Sequence, residues 1–408
     1  MASMRVLIIL VLVLSCWLFP MASPSPPTWS QPMAMAATIS EETALSRLFT
    51  TPEIEASWFA DSFLSQISLA QIEQILRGIV ANLGSYQRVD SAGEQYILTF
   101  EQGTVPTRIV LNASGQISGL LFEPPQIAAM DLEALQITFT ELSGNASLLI
   151  LKDGNEIAQI NADQPLAVGS AFKLLVLQAL QLQIDAGEHS WEEILQLQEA
   201  YRSLPSGRLQ DWPVGTPLTV QSLATMMISE SDNTATDHLL ALVGRRNVEA
   251  LTRQNRPFLS TREAFILKDP QNQTLLNRYR QATERERRGI LTAMADLPLP
   301  AVNIFNSGPL ALDVEWFMSG RELCDAIATV AELPPMQVNP GLANPADWQR
   351  IAFKGGSEPG VMNFTTALKD ADNHNYCITA TWNNPEGIDE LKFSGLYTSA
   401  LSSIAAVE

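Results

Sequence analysis

Apolar residues at 54, 58, 59, 63, 64 and 67 recur with a helical period, which predicts a helix over 52–67. Ser68 then stands as an N-cap before a second helix, with Leu69, Ile72, Ile75, Leu76, Ile79 and Val80 turned inward and Gly84 as its stop. Beyond it the period changes to two. Segments 86–89, 95–100, 105–111 and 116–122 alternate or run apolar, and Ser91-Ala92-Gly93, Gln102-Gly103 and Ala113-Ser114-Gly115 separate them as turns. Two helices followed by an antiparallel meander make a small α+β unit of about 42–125, closed by Pro124-Pro125.

A short helix from about Met130 leads into a second unit. Segments 148–152 and 156–160 flank Asp153-Gly154-Asn155 and predict a hairpin. The run 174–182 is apolar on every side, which predicts a buried helix. Helical periods follow at 191–197, 220–228 (with Thr219 as cap), 234–242, 247–253, 273–296 and 321–331. Strands return at 350–354, 360–369 and 376–382, and a last helix begins near Ile388. Strands at both ends of this stretch, with helices between, imply an antiparallel sheet built from distant segments and covered by an inserted helical part.

At 408 residues, 46% of them hydrophobic and 17% charged, the chain can bury a large core across two or three domains. The net charge of −19 and the lack of a long basic run exclude nucleic acid as a partner and leave no attraction to anionic lipid. His189, His238 and His374 show no ligand spacing and the cysteines are few, so neither a metal nor another cofactor is expected.

Arg5 ahead of the apolar run 6–19, then Pro20 and a small-residue, Pro-rich tract, reads as an export leader with a linker over 1–36. Cleavage is open between Ala34-Met35-Ala36 and Met21-Ala22-Ser23. Lipid attachment at Cys16, in Val13-Leu14-Ser15-Cys16, is a further route, against which the adjoining Trp17 and Leu18 argue. Export would make the product periplasmic or extracellular, with membrane contact confined to the leader. It would also leave Cys324 and Cys377, which could pair, although spacing does not place them within reach.

Candidate chemistry begins at Gly169-Ser170-Ala171-Phe172-Lys173, where Lys173 lies one helical turn after Ser170 on the same face. A desolvated lysine loses basicity and can take a proton from a serine at a helix start, whose dipole favours developing negative charge. Ser170 as an N-cap and Lys173 as a snorkelling surface residue explain the same letters. Ser231-Asp232-Asn233 before a helix and Lys354-Gly355-Gly356-Ser357 at the end of an apolar strand change the weighing, because the three strings occur in order.

Ser-x-x-Lys, Ser-Asp-Asn and a Lys-x-Gly strand in this order resemble the serine β-lactamases of class A and the penicillin-binding proteins, over about 142–408. Together with Leu204-Pro205-Ser206-Gly207 and an N-terminal domain, the chain resembles exported two-domain serine hydrolases related to clavulanic-acid-cluster β-lactamase-like proteins. The resemblance implies an α/β catalytic domain over about 140–408, with an antiparallel sheet and a helical part. The first unit is similar in architecture alone to the cone-like domains of the nuclear-transport-factor-2 and ketosteroid-isomerase superfamily, and no motif carries chemistry over from them.

By that resemblance Ser170 attacks an amide or ester carbonyl, neutral Lys173 is the base, and Ser231 relays the proton to the leaving nitrogen. Asn233 holds Lys173 and a substrate amide, Lys354 pairs a substrate carboxylate, and the Ser170 and Ser357 amides form the oxyanion hole. Asp232 is structural. Gly355 and Gly356 let the substrate approach the strand, with Gly355 standing where threonine is usual and Ser357 as a compensating hydroxyl. The expected function is β-lactam hydrolysis, as part of a response to antibiotics, on a small-molecule substrate. The alternatives are a D-alanyl carboxypeptidase, an esterase, or a penicillin-recognising protein without turnover. The Glu-x-x-Leu-Asn loop of class A is not present as such. Glu263 is the positional candidate for a deacylating base, with an Arg-paired loop carboxylate as its other reading; Glu315 comes second, with a helix-start acid as its other reading.

Overall fold

The computed structural model describes residues 39–127 and 130–405, so the leader, its candidate cleavage sites and Cys16 lie outside the described residues. The described chain forms two compact units.

The first unit holds α1 (Glu41–Thr50), α2 (Asp61–Leu64), α3 (Leu69–Leu83) and the strands β1 (Tyr86–Ala92), β2 (Gln95–Phe100), β3 (Gly103–Leu111), β4 (Ile117–Phe122) and β5 (Gln126–Ile127). The strands run antiparallel in the order β1-β2-β3-β4, with β5 also on β3. Ser68 caps α3 in a reciprocal box with Gln71. Its buried face, Ile72, Leu76, Ile79 and Leu83, belongs to a core that includes Leu45, Leu98, Val105 and Ile117.

Segment 52–67 is not the helix its period predicts: only a 3-10 turn at Ala56–Trp58 and α2 form. The reason is tertiary. Phe59 bridges Ile117, and the Ala60 amide donates to the Ile117 carbonyl at 2.9 Å, so the chain there is extended along the sheet. Helix α1 escapes sequence reading because it buries only Ala44, Leu45 and Leu48.

The second unit begins with α4 (Leu132–Thr140) and the hairpin β6 (Asn145–Lys152) and β7 (Asn155–Ile160), then β8 (Leu166–Ala167). Next come α5 (Lys173–Asp185), β9 (Ile194–Gln196), β10 (Pro217–Thr219), α6 (Val220–Ser229), α7 (Asn233–Val243), α8 (Arg245–Glu249), α9 (Thr261–Lys268), α10 (Gln273–Gln281) and α11 (Glu284–Ala293). The unit ends with β11 (Phe317–Met318), α12 (Gly320–Val330), β12 (Arg350–Glu358), β13 (Val361–Lys369), β14 (Asn375–Asn383) and α13 (Glu390–Ala405).

Three C-terminal strands and the N-terminal hairpin make one antiparallel sheet, β12-β13-β14-β6-β7, the closure of distant segments that the pattern implies. Its middle strands alternate nothing, because both faces are covered. One face carries a cluster with Leu135 and Phe139 of α4 and Phe393, Tyr397 and Leu401 of α13. The other carries the larger core, with α5, α6, α7 and α12. Cys324 of α12 is bonded to Cys377 of β14, with their Cα atoms 5.8 Å apart.

Two helical readings are corrected here. Segment 191–197 supplies strand β9, paired with Pro217–Thr219, and the period over 273–296 is two helices. Thr283 divides them because its side chain caps α11 in a box with Glu286.

Candidate active site

Ser170 sits in a 3-10 turn, Gly169–Phe172, that leads directly into α5. The approach is fixed on two sides. Strand β8 pairs with β11, and the Asn383 side-chain amide grips Ala167, accepting from its nitrogen and donating to its carbonyl, each at 2.8 Å. The Val168 amide donates to the Trp316 carbonyl at 3.0 Å, and the Phe172 ring stacks on Trp316 with centroids 3.9 Å apart. Ser170 is half-buried and its side chain caps no helix, so the N-cap alternative is not the arrangement found.

Lys173 does not snorkel; it is 0% exposed. Its Nζ donates to the Ser231 carbonyl at 2.6 Å and to Asn233 Oδ1 at 2.7 Å, and lies 3.1 Å from Ser231 Oγ. Burial first, and the neighbouring Lys354 charge second, hold its pKa well below that of an ordinary lysine, against the opposing pull of Asp232 and Asp237.

Ser231 stands between α6 and α7 with φ +56°, a left-handed conformation that a serine adopts only under constraint. The constraint is visible. The Ser231 carbonyl accepts from Lys173 and from Ser206 Oγ at 2.7 Å. Asp232 caps α7 through the Ala235 amide at 2.8 Å, and its other oxygen accepts from the amides of Arg208 and Leu209 at 2.7 and 2.9 Å. Gly207 packs so closely there that a Cβ would lie 2.2 Å from Asp232 Oδ2. Asn233 completes the seam, donating from Nδ2 to the Leu204 carbonyl at 3.0 Å and from its backbone nitrogen to that of Ser206 at 3.1 Å. Both Asp232 carboxylate oxygens are thus spent on backbone amides.

Strand β12 is a sheet edge, and it runs against the Ser170 turn. Lys354 and Gly356, two apart, face the same side. The Lys354 ammonium is 3.1 Å from Ser231 Oγ and also donates to the Gly355 carbonyl. Burial lowers its pKa to about 7. A Cβ on Gly356 would lie 2.0 Å from the Val168 carbonyl and 2.5 Å from the Ser170 nitrogen, and one on Gly169 would lie 3.1 Å from the Ser357 nitrogen. Strand β12 and the Ser170 turn therefore pack backbone against backbone at Gly356 and Gly169, while Ser357 itself is exposed. A Cβ on Gly355 would meet the Phe353 and Phe364 rings and the Asn363 carbonyl.

The two acids offered as deacylating bases are placed elsewhere in the chemistry. Glu263 is the third residue of α9; it closes a capping box with Ser260 and takes Arg245 bidentately at 2.7 and 2.9 Å. It is the Arg-paired carboxylate, with both oxygens taken by Arg245 and one of them also by the Ser260 amide. Glu315 starts no helix: it is buried before β11, against Lys268 and Glu358.

Sequence reasoning missed Asp237, one turn after Asn233 on α7. It is 3% exposed and accepts from the Thr261 and Arg262 amides at 2.7 and 2.9 Å, which pins the start of α9 behind the Ser-Asp-Asn loop. Burial pushes its pKa up to about 6. The i, i+4 spacing from Asn233 is the signal that could have found it. His238 is a core residue: Nε2 accepts from the Gln198 amide at 2.8 Å while Nδ1 donates to the Thr234 carbonyl at 2.7 Å, and burial lowers its pKa. Among the described residues no group of acids, histidines and cysteines could hold a metal ion, and no helix is long and apolar enough to cross a membrane.

The structure thus brings the Ser-x-x-Lys turn, the Ser-Asp-Asn loop and the Lys-Gly-Gly-Ser edge strand together, as their order in the sequence leads one to expect. Residues 131–295 match the family model described as the Beta-lactamase enzyme family. No curated protein matches significantly. Among solved structures the chain is similar to the β-lactamase of Sphaerobacter thermophilus, at 20% identity over 68% of this chain and 97% of that one (TM-score 0.43). It is also similar to PBP-A, at 17% identity over 69% and 98% (TM-score 0.44). An ancestral class A β-lactamase is similar at 17% identity over 67% and 98% (TM-score 0.46).

Proposed function

We propose that this protein is a serine hydrolase that works through an acyl-Ser170 intermediate, with the β-lactam ring as its first substrate class. The observation that carries this is the shared hydroxyl: Lys173 and Lys354 each approach Ser231 Oγ to 3.1 Å. Burial first, and the Lys354 charge second, lower the Lys173 pKa well below that of an ordinary lysine, which suits it to act as the base. As the Ser170 Oγ–carbonyl bond forms, the serine proton passes to Lys173. When the C–N bond breaks, Ser231 gives its proton to the leaving nitrogen and is recharged from Lys173, so the sequence balances. The Ser170 and Ser357 amides receive the oxyanion, an arrangement that contributes about 2.7–4 kcal/mol per donor in a serine protease. Lys354 orients a substrate carboxylate.

A D-alanyl carboxypeptidase or esterase on the same residues is the second reading, favoured by the engagement of Glu263 with Arg245. With no carboxylate freed for water there, Lys173 must serve both half-reactions. Intact mass after incubation with a penicillin, beside turnover of a chromogenic cephalosporin, tests both. Turnover supports the first, and a persistent adduct supports the second. No adduct and no esterase activity would leave a protein that has kept the pocket without the reaction. Full activity in Ser170→Ala would overturn the mechanism outright. The joined Cys324 and Cys377 support the further reading that the chain folds after export, in an oxidising compartment.

A further inference from the structure

Three buried charges lie outside this machinery. Lys268, in the last turn of α9, is 1% exposed at its side chain and contacts both Glu315 Oε1 and Glu358 Oε1; the two acids are 0% and 16% exposed. Each belongs to a segment that holds the active site. Helix α9 starts behind Asn233, where Thr261 Oγ1 donates to the Asn233 carbonyl at 3.3 Å, and ends at Lys268. Glu315 precedes Trp316, whose carbonyl and ring hold the Ser170 turn. Glu358 follows Ser357 and, two residues beyond Gly356, faces the same side of β12.

Two carboxylates around one ammonium would leave a net negative charge in the interior, which is expensive. Glu315 Oε2 is buried and has no donor. Both facts are met if that oxygen carries a proton and gives it to Glu358, leaving the cluster neutral. Burial first, and Glu358 second, push the Glu315 pKa well above the usual carboxylate range. The other charge facing the cluster is Asp313, itself tied to Arg280 at 2.6 Å.

We propose that Lys268, Glu315 and Glu358 form a neutral, proton-sharing clamp that positions both oxyanion donors, by fixing the end of β12 beside Ser357 and the Trp316 brace beneath Ser170. The three are positioning residues, since none touches the reacting atoms. The inference rests on the acyl-Ser170 reading.

The clamp predicts a split between binding and chemistry. Lys268→Met leaves two acids facing each other without their cation, and acylation by a penicillin should slow about 10²-fold, as for a misplacement of about 1 Å, with the half-saturating concentration unchanged. An arylboronic acid, which places an oxygen between the two donors, should lose affinity by the same factor. Glu315→Gln keeps the neutral hydrogen-bonding form, so it should match the wild type while the cluster holds its proton and, unlike the wild type, keep its acylation rate when that proton is lost as pH rises. Melting curves establish that each variant is folded, and Glu315→Gln carries the test if Lys268→Met is not. Acylation in both variants that follows the wild type at every pH would overturn the clamp. Failure of the wild type itself to form an adduct with a penicillin or an ester would instead overturn the acyl-Ser170 reading.

Discussion

Lys173 and Lys354 meet at one hydroxyl: the two ammonium nitrogens each lie 3.1 Å from Ser231 Oγ, one reaching it from the helix that begins after Ser170 and the other from strand β12. Among the described residues neither lysine has a carboxylate within hydrogen-bond distance. The pair therefore cannot be fully charged at neutral pH, and the division of protons between them sets the chemistry.

Lys354 titrates at about 7, lowered by burial, so it is a cation below that pH and neutral above it. If it holds the substrate carboxylate, KM for a carboxylate-bearing β-lactam rises as pH passes from 6 to 8, toward about tenfold per unit above the pKa. An ester without a carboxylate keeps its KM across the same range. Equal KM profiles for the two substrates would remove Lys354 from carboxylate binding.

Asp237 gives a pH effect of a different kind, on stability. Its pKa is about 6 in the folded protein against 3.8 for an unperturbed aspartate, so the folded state binds more protons between these values and stability falls as pH rises through that window. The difference amounts to about 3 kcal/mol lost by the time pH exceeds 6. Denaturant unfolding of the wild type should show about 2 kcal/mol of this gain on acidification from pH 7 to 4.5, superimposed on the other carboxylates, and Asp237→Asn should lack that component. Parallel pH curves for the two proteins would place the penalty elsewhere.

Glu263→Gln separates a structural carboxylate from a catalytic one. The variant loses the bidentate charge pair with Arg245 and weakens the α9 cap, and is expected to be less stable by about 1–3 kcal/mol. Because both oxygens are already taken by Arg245 and the Ser260 amide, release of the acyl group should stay within about threefold of wild type, well under the 10²–10⁴-fold that removing a general base costs. Accumulation of the acyl-enzyme in Glu263→Gln, seen by intact mass, would restore Glu263 as the base.

What was legible in the sequence follows from range. Ser68 before α3 and Thr219 before α6 are local signals, and the structure shows the caps they spell, with Gln71 completing a box at Ser68 that was not read. The three strings of the candidate site were legible because each is contiguous. Glu263 and Glu315 were not, since the same acid reads as a base or as an ion-pair partner until Arg245 or Lys268 is placed beside it. The helix expected over 52–67 failed for the same reason: Ile117, half a domain away, fixes Phe59 in extended backbone. Lys268 gave no sign at all, because it pairs with residues 47 and 90 positions on.

Gly356 offers the sharpest test of the oxyanion geometry. A methyl there would lie 2.0 Å from the Val168 carbonyl, 2.5 Å from the Ser170 nitrogen and 2.8 Å from the Ala171 nitrogen. All three are backbone atoms, so no side-chain rotation relieves the contact, and β12 must move off the Ser170 turn. Gly356→Ala is expected to slow acylation by about 10²-fold or more and to destabilise the fold by about 1–3 kcal/mol. Gly355→Ala meets mainly the rims of Phe353 and Phe364, at 2.9 and 3.3 Å, along with the Asn363 carbonyl at 3.3 Å, and should lose less of both. Acylation rates and melting temperatures of the two variants, taken side by side, decide the matter: an unimpaired Gly356→Ala enzyme would mean that the amides of Ser170 and Ser357 do not need their present separation.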